Sequence, residues 1–462
     1  MTFTRRDAWD LSRDEIWPEA LAWYARAVRA MQDRPLSDPL SWRYQAAIHG
    51  LANTPPPPGA PWNECQHATW YFLPWHRMYL YQFERIVRKT IIELGGPDDW
   101  AQPYWNYDGS GTSNQIPPAF REASLPDGSP NPLLVNERRS LINAGGGLPP
   151  EITSSTDALN TEFFTTPFAG VPVGFGGPRT GFAHFGPAPG ALENQPHNIV
   201  HVAVGGTFGF MSNPDTAALD PIFWLHHANI DRLWETWRLQ TNANPTSGTW
   251  RFRSFRLRDD NGELIRMRVG EVVDVTSLDY TYDSLPLVAS TREKAEAVPP
   301  RSRPKTVAQS SKAMRVGREG ASTAMKVGPL PTPSAGASRG REPRFHLKLS
   351  DIEGRANPGI VYGVYVHLPE EPEPIRERRR VGAVSFFGVE HSTSRGSKNP
   401  QPLSYTFDIT DVIQQLGAHG DVSDLAVSLV PMEGMVEEPG AAAATPPPVN
   451  IRTVAVLTSE HQ

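Results

Sequence analysis

One cysteine in 462 residues excludes any intramolecular disulfide, so nothing in the chain calls for an oxidising compartment. No apolar run reaches the length needed to span a bilayer. The twin arginine Arg5 and Arg6 is followed by no apolar stretch of the signal-peptide kind. The expectation is a cytoplasmic protein with no membrane partner, with export on a partner chain left open. Positive charge is not in excess either: a formal net charge of -6 gives no reason to expect nucleic acid as a partner. Aromatics, by contrast, are plentiful at 10% with 13 Trp, enough to wall a large core or a pocket within it. The length suits two or three domains.

Residues 17–34 (WPEALAWYARAVRAMQDR) repeat apolar residues at three and four, which predicts a helix with one buried face. The stretch 70–94 contains a second, with Pro74 near its first turn, where a missing N–H costs little. A third lies within 220–240, opened by Asp220 and Pro221 in the order of N-cap and first helical residue. Residues 106–196 read mostly as loop, long for a structureless connection and so expected to wrap the helices and shape a site.

From 291 to 342 large apolar residues almost vanish among Pro, Gly, Ser and Arg, and 291–350 carries 13 Lys+Arg against four Asp+Glu. That composition predicts a basic linker open to proteolysis. Its imperfect repeat, AMRVG at 313–317 and AMKVG at 324–328, reads either as a docking segment or as chance in a low-complexity tract. Residues 343–462 then alternate in period two through FHLKLS, IVYGVYVHL, AVSFFGV, YTFDIT, LAVSLVPM and IRTVAVLT, the pattern of an antiparallel sandwich. The expected fold class is mainly α: a helical core over 1–290, the linker 291–342, and a smaller β-sandwich over 343–462.

Eight of the 13 histidines precede residue 228, and none follows until His346. His197 and His201 are four apart, which on a helix places both imidazoles on one face. His226 and His227 follow on the helix opened at Asp220, with Asp231 one turn beyond His227, where a carboxylate can orient a ligand histidine through its other nitrogen. His49, His67 and His76 form a matching set. Two groups of three on helix surfaces suggest two facing metals in a helical core. All-imidazole ligation suits copper, whereas dinuclear iron and manganese sites draw on carboxylates.

At these residues the chain resembles the type 3 dicopper family of tyrosinases, catechol oxidases and molluscan-type haemocyanins. The resemblance rests on IHG around His49, FLPWHRMYLYQFER around His76, ENQPHNIVH, and MSNPDTAALDPIFWLHHANIDRLW, and ends near YTY at 280–282. It implies two copper ions, His49, His67 and His76 holding copper A and His197, His201 and His227 holding copper B, with His226 a neighbour. It implies O2 as co-substrate and small phenols as substrates, hydroxylated beside the hydroxyl or oxidised from o-diphenol to o-quinone. Glu193 and Asn198 match the residues that in tyrosinases fix a water acting as base toward a phenol. Val202, Met211 and Pro214 match positions at the substrate entrance, where the absence of a bulky Phe at 214 and of charge at 202 implies broad acceptance of phenols.

The C-terminal region looks like the sandwich that follows the core in latent plant and fungal polyphenol oxidases and lies over the copper site. The implied enzyme is latent until that domain is displaced, with the basic linker as the release point; a domain that only stabilises the core or a homo-oligomer is the alternative. Two other functions remain open: an oxygen carrier of haemocyanin type, and an oxidase of o-aminophenols or catechols without activity on monophenols. Cys65, two residues before His67, has the fungal spacing for a thioether to that imidazole.

Overall fold

The computed structural model describes residues 2–167, 170–240, 243–286, 304–328, 343–370, 377–393, 401–418, 422–436 and 446–459. They belong to two compact units, one of 1–67, 71–160 and 195–293, the other of 68–70, 161–194 and 294–462.

The first unit is built on helices. Helix α1 (Glu19–Gln32) buries Leu21, Tyr24, Ala25, Val28 and Met31 along one stripe, as the apolar spacing predicts. Complete burial of the larger of these side chains is worth about 1.5–3 kcal/mol each. Helix α2 (Trp42–His49) is capped by Ser41, whose Oγ accepts the Tyr44 N–H at 3.2 Å. Helix α3 (Phe72–Glu93) carries Pro74 in its first turn. A short helix, α4 (Ile199–Gly205), precedes α5 (Ile222–Leu239), in which every residue from Ile222 to Trp237 is buried. So complete a burial means that α5 runs through the unit instead of along its surface. Asp220 accepts the Ile222 N–H at 3.0 Å, so it caps α5, while Arg138 grips both its oxygens at 2.6 and 2.8 Å.

The unit closes on itself where β1 (Phe3–Arg5) pairs in parallel with β2 (Tyr280–Tyr282). Behind this pairing lies a buried ionic network. Arg5 donates to Glu84 at 2.6 Å and to Asp231 at 3.2 Å, and its guanidinium sits 3.6 Å over the Tyr280 ring. Asp231 also accepts from Arg77 Nε and from the hydroxyls of Tyr280 and Tyr282.

The second unit holds two antiparallel sheets. The first has strand order β9 (Leu403–Asp408), β6 (Arg344–Glu353), β11 (Val449–Ser459), β3 (Lys305–Gln309), with β4 (Met314–Val316) also on β11. The second runs β8 (Arg380–Val384), β7 (Tyr362–His367), β10 (Asp424–Pro431), β5 (Ala321–Lys326). One apolar cluster draws on both, including Leu347, Leu349, Val364, Val366, Val427 and Val456. Two short helices complete it, α6 (Val389–Thr393) and α7 (Thr410–Gly417).

Two expectations need correction here. Residues 305–326, assigned by composition to the linker, form β3, β4 and β5. The two halves of the imperfect repeat lie in or beside strands that anchor through buried Met314, Val316 and Met325. The misreading has a physical cause: β3 and β5 lie at the ends of the strand order, where polar and basic side chains are the rule. What is left of the predicted linker, 291–303 and 329–342, lies outside the described residues. The second correction concerns 106–196. Its first part carries short helices at Ser140–Asn143, Pro150–Thr153 and Thr156–Leu159 within the helical unit, but 161–194 packs with the C-terminal sheets.

Candidate metal centre

Six buried imidazoles converge in the helical unit, each at 4% exposure or less. His49 ends α2, His67 lies in the loop before α3, and His76 sits one turn into α3; their ring centroids are 5.1–5.5 Å apart. His201 is on α4, His197 in the irregular turn Glu193–Asn198 just ahead of it, and His227 on α5, with centroids 4.5–5.5 Å apart. Only His201 of the HxxxH pair is therefore on the α-helix proper. The two groups face each other, His76 stacking on His227 at 4.4 Å and 12°. Phe72 and Phe223 pack against them from the helix surfaces, Phe72 4.6 Å from His76 and from His197, Phe223 4.2 Å from His227.

Four of the six rings are oriented by a fixed acceptor on Nδ1. His49 donates to the Pro214 carbonyl, His76 to that of Phe72, His201 to that of Met211, and His197 to Asn198 Oδ1, all at 2.8 Å. A carbonyl oxygen cannot donate, so these Nδ1 atoms carry the proton and each Nε2 presents a lone pair. The Nε2 atoms of His197 and His201 both lie 3.3 Å from His227 Nε2. One proton cannot satisfy three converging nitrogens; a cation can. Burial, followed by the neighbouring imidazoles, pushes His76, His197, His201 and His227 well below the usual histidine pKa, so they are neutral, as metal ligands must be. The ligand atoms grouped there are imidazole and thiol only: His197, His201, His226 and His227 in one cluster, His49, Cys65 and His67 in a second, and His49, His76 and His227 bridging them. That donor set fits copper.

Gly50 explains the IHG signature. A Cβ there would meet the Pro214 carbonyl oxygen at 2.6 Å, so only glycine lets the 214 loop approach and hold His49. Cys65 Sγ lies 3.2 Å from His67 Nδ1, against the ring edge.

Other candidates take different places from those expected. Asp231 does not orient His227: its oxygens are taken by Arg5, Arg77, Tyr280 and Tyr282, whose donors outcompete an imidazole one turn back. Asn198 holds His197 by its amide oxygen. Val202, Met211 and Pro214 are all buried, and Met211 and Pro214 serve through their carbonyls as acceptors for the imidazoles of His201 and His49. His226 is fully buried and stacks on His197 at 5.2 Å, but neither of its nitrogens has a hydrogen-bond partner among the described residues. Glu193, in the second unit, is 1% exposed; Oε1 accepts the Ala68 N–H at 2.6 Å and Oε2 has no partner among the described residues. Burial pushes its pKa well above the carboxylate range.

Residues 39–240 match the model of the common central domain of tyrosinase, and 303–444 match a domain of unknown function. A tyrosinase of Hahella sp. is 37% identical over 463 residues, covering 93% of this chain and 95% of its own. The chain belongs to the tyrosinase family. It is a tyrosinase-type oxidoreductase, and the family implies a dinuclear copper centre. A further relative is the chloroplastic latent form of polyphenol oxidase from Prunus armeniaca, 30% identical, with 90% of this chain and 71% of that one covered. Latent apple tyrosinase shares the fold, at TM-score 0.64 and 20% identity over 99% of this chain and 97% of that one.

The expected cytoplasmic location does not stand. Family members as similar as that of Prunus armeniaca are chloroplastic by name, so membership and an unremarked N-terminus assign no compartment. Among the described residues no helix is long and apolar enough to cross a membrane.

Proposed function

We propose that this tyrosinase-family chain hydroxylates monophenols beside the hydroxyl and oxidises o-diphenols to o-quinones with O2, and that it is latent until its C-terminal domain is displaced. The observation that carries the reading is the pair of facing imidazole triads, buried and oriented by fixed acceptors on four of the six rings. His49, His67 and His76 would hold one copper and His197, His201 and His227 the other. Bound there, copper would supply the redox chemistry that joins O2 reduction to phenol oxidation. The protein's own part is orientation and exclusion of water.

Hydroxylation needs one thing more. A phenol has a pKa of about 10, so it reaches the metals as phenolate at neutral pH only with a local base. Glu193, four residues before His197, is buried with one oxygen fixed and its proton affinity raised, which suits it to take the phenol's proton through a water that it fixes. Asn198 keeps His197 in one tautomer beside it in sequence. The latency reading is supported by the Prunus armeniaca relative, described as a latent form. Cys65 Sγ at the edge of His67 supports a thioether formed during copper loading, in which the S–H and a ring C–H would be lost with O2 as the two-electron oxidant and bound copper supplying the redox chemistry.

The test is to load the chain with copper and measure initial rates on a monophenol, its o-diphenol and an o-aminophenol, before and after limited trypsin. Both phenol activities, rising after cleavage, are expected. Reversible O2 uptake without turnover would move the chain to the oxygen carriers. Turnover confined to diphenol or aminophenol would remove the hydroxylase reading.

A further inference from the structure

The carboxyl group assigned above as the base belongs to the unit formed by the C-terminal sheets, and so does everything that holds it. Ala68, whose N–H grips Glu193 Oε1, adopts a left-handed φ of 53° and is a member of the sheets' apolar cluster with Phe386, Val389, Leu403 and Tyr405. The turn leading toward Glu193 is fixed to the same domain. Ser404, on β9, donates both its N–H (2.9 Å) and its Oγ–H (3.0 Å) to the Pro187 carbonyl. Phe185 lies flat on His391 of α6, with centroids 4.7 Å apart and planes within 8°. Gly388, at φ 74° before α6, makes room for it: a Cβ there would sit 2.1 Å from Phe185 Cε1. Gly186 in turn approaches so closely that a Cβ would lie 2.2 Å from the Ala68 carbonyl oxygen, locking the turn to the residue that holds the carboxyl.

We propose that the C-terminal domain is a positioning element for Glu193, through Ala68 in its core and the 185–187 turn held by Ser404 and His391. A domain that only covered an entrance would need none of these contacts to end on one carboxyl group. The inference rests on Glu193 being the base for monophenols. It makes the domain a determinant of which reaction the enzyme performs, since oxidation of an o-diphenol needs that base less than hydroxylation does. Displacement of the domain would then loosen the base.

The test uses the full-length chain and the variants His391→Ala, His391→Phe, Phe185→Ala and Glu193→Gln. The first readout, taken without copper, is the infrared carboxyl band of Glu193, identified by its loss in Glu193→Gln. The second, with copper at matched content, is the ratio of monophenol to o-diphenol rates. His391→Ala and Phe185→Ala are expected to shift the band and to lower the ratio on the order of tenfold, part of the 10²–10⁴ a general base supplies. His391→Phe, which keeps a stacked ring, is expected to restore both. A band unmoved by His391→Ala and by Phe185→Ala overturns the proposal, as do monophenol and diphenol rates that change in parallel. An unchanged ratio in Glu193→Gln would instead sink the assignment of Glu193 as base, and the band would still decide whether the domain positions it.

Discussion

Replacing Asp231 by Ala removes the hub of the buried network that closes the helical unit, and the structure allows the loss to be apportioned. Arg5 keeps Glu84 at 2.6 Å and is little affected. Arg77 keeps the Val272 carbonyl at 3.0 Å, but its nearest remaining carboxylate is Glu235 at 3.7 Å, so a fully buried guanidinium loses its main counter-charge. Tyr282 retains the Ala228 carbonyl at 3.0 Å, whereas the Tyr280 hydroxyl loses the acceptor it holds at 2.6 Å. Breaking a buried pair costs about 3–5 kcal/mol and an unsatisfied hydroxyl about 1 more. Partial cover of Arg77 by Glu235 brings the expected total to about 4 kcal/mol. At roughly 2–4 °C per kcal/mol for a unit of this size, the unfolding transition should fall by about 10 °C. Asp231→Asn, which keeps one carbonyl oxygen for the donors, should lose about half as much.

Differential scanning calorimetry of the full chain measures this, and a drop below about 2 °C for Asp231→Ala would refute the apportionment. The pH dependence supplies an independent check. Burial opposes ionisation of Asp231, but Arg77 and Arg5 outweigh it and hold its pKa below the ordinary value. A depressed folded pKa stabilises fully above the unfolded value of about 3.9 and loses that stabilisation as pH falls through the folded one. The gap between wild type and Asp231→Asn should therefore be constant near neutrality and narrow in strong acid.

Gly50→Ala should push the 214 loop off His49 and lower copper content at the first triad, read by metal analysis, while far-UV circular dichroism stays unchanged; retention of two copper ions per chain would contradict the role given to this glycine. His227→Gln removes the nitrogen on which His197 and His201 converge, so the chain should bind one copper ion in place of two and lose oxidase activity. Holoprotein should be two hydrogens lighter than its sequence in the peptide joining Cys65 to His67, and Cys65→Ser should abolish the deficit; a thiol that titrates in denatured holoprotein would rule out the thioether.

How much of this was legible in the sequence depends on what kind of atom does the work. The long helices were legible because α1 buries a stripe at helical spacing, while Pro74 and the pair Asp220 and Pro221 mark the first turns of α3 and α5. The histidine sets were legible because imidazole is a rare side chain whose spacing carries information. Helix α2 was not announced, since eight residues offer too few periods to read. The acceptors that orient His49, His76 and His201 were invisible because they are backbone carbonyls of Pro214, Phe72 and Met211, and a carbonyl leaves no mark in a residue name. Asp231 was misassigned for a related reason: spacing one turn from His227 says what can meet, not that Arg5 and Tyr282, more than two hundred and about fifty residues away, arrive there first. The edge strands β3 and β5 failed on composition, because an edge is built to look like a linker.

The segment from Met211 to Pro214 touches both halves of the metal centre, holding His201 of one triad and His49 of the other. Two imidazoles that share one mount cannot be ordered independently. Fixing either imidazole stiffens the segment and lowers the entropy lost in fixing its counterpart, which is positive cooperativity without any contact between the bound ions. Copper should accordingly enter in pairs, and a chain carrying a single ion should be scarce at half saturation.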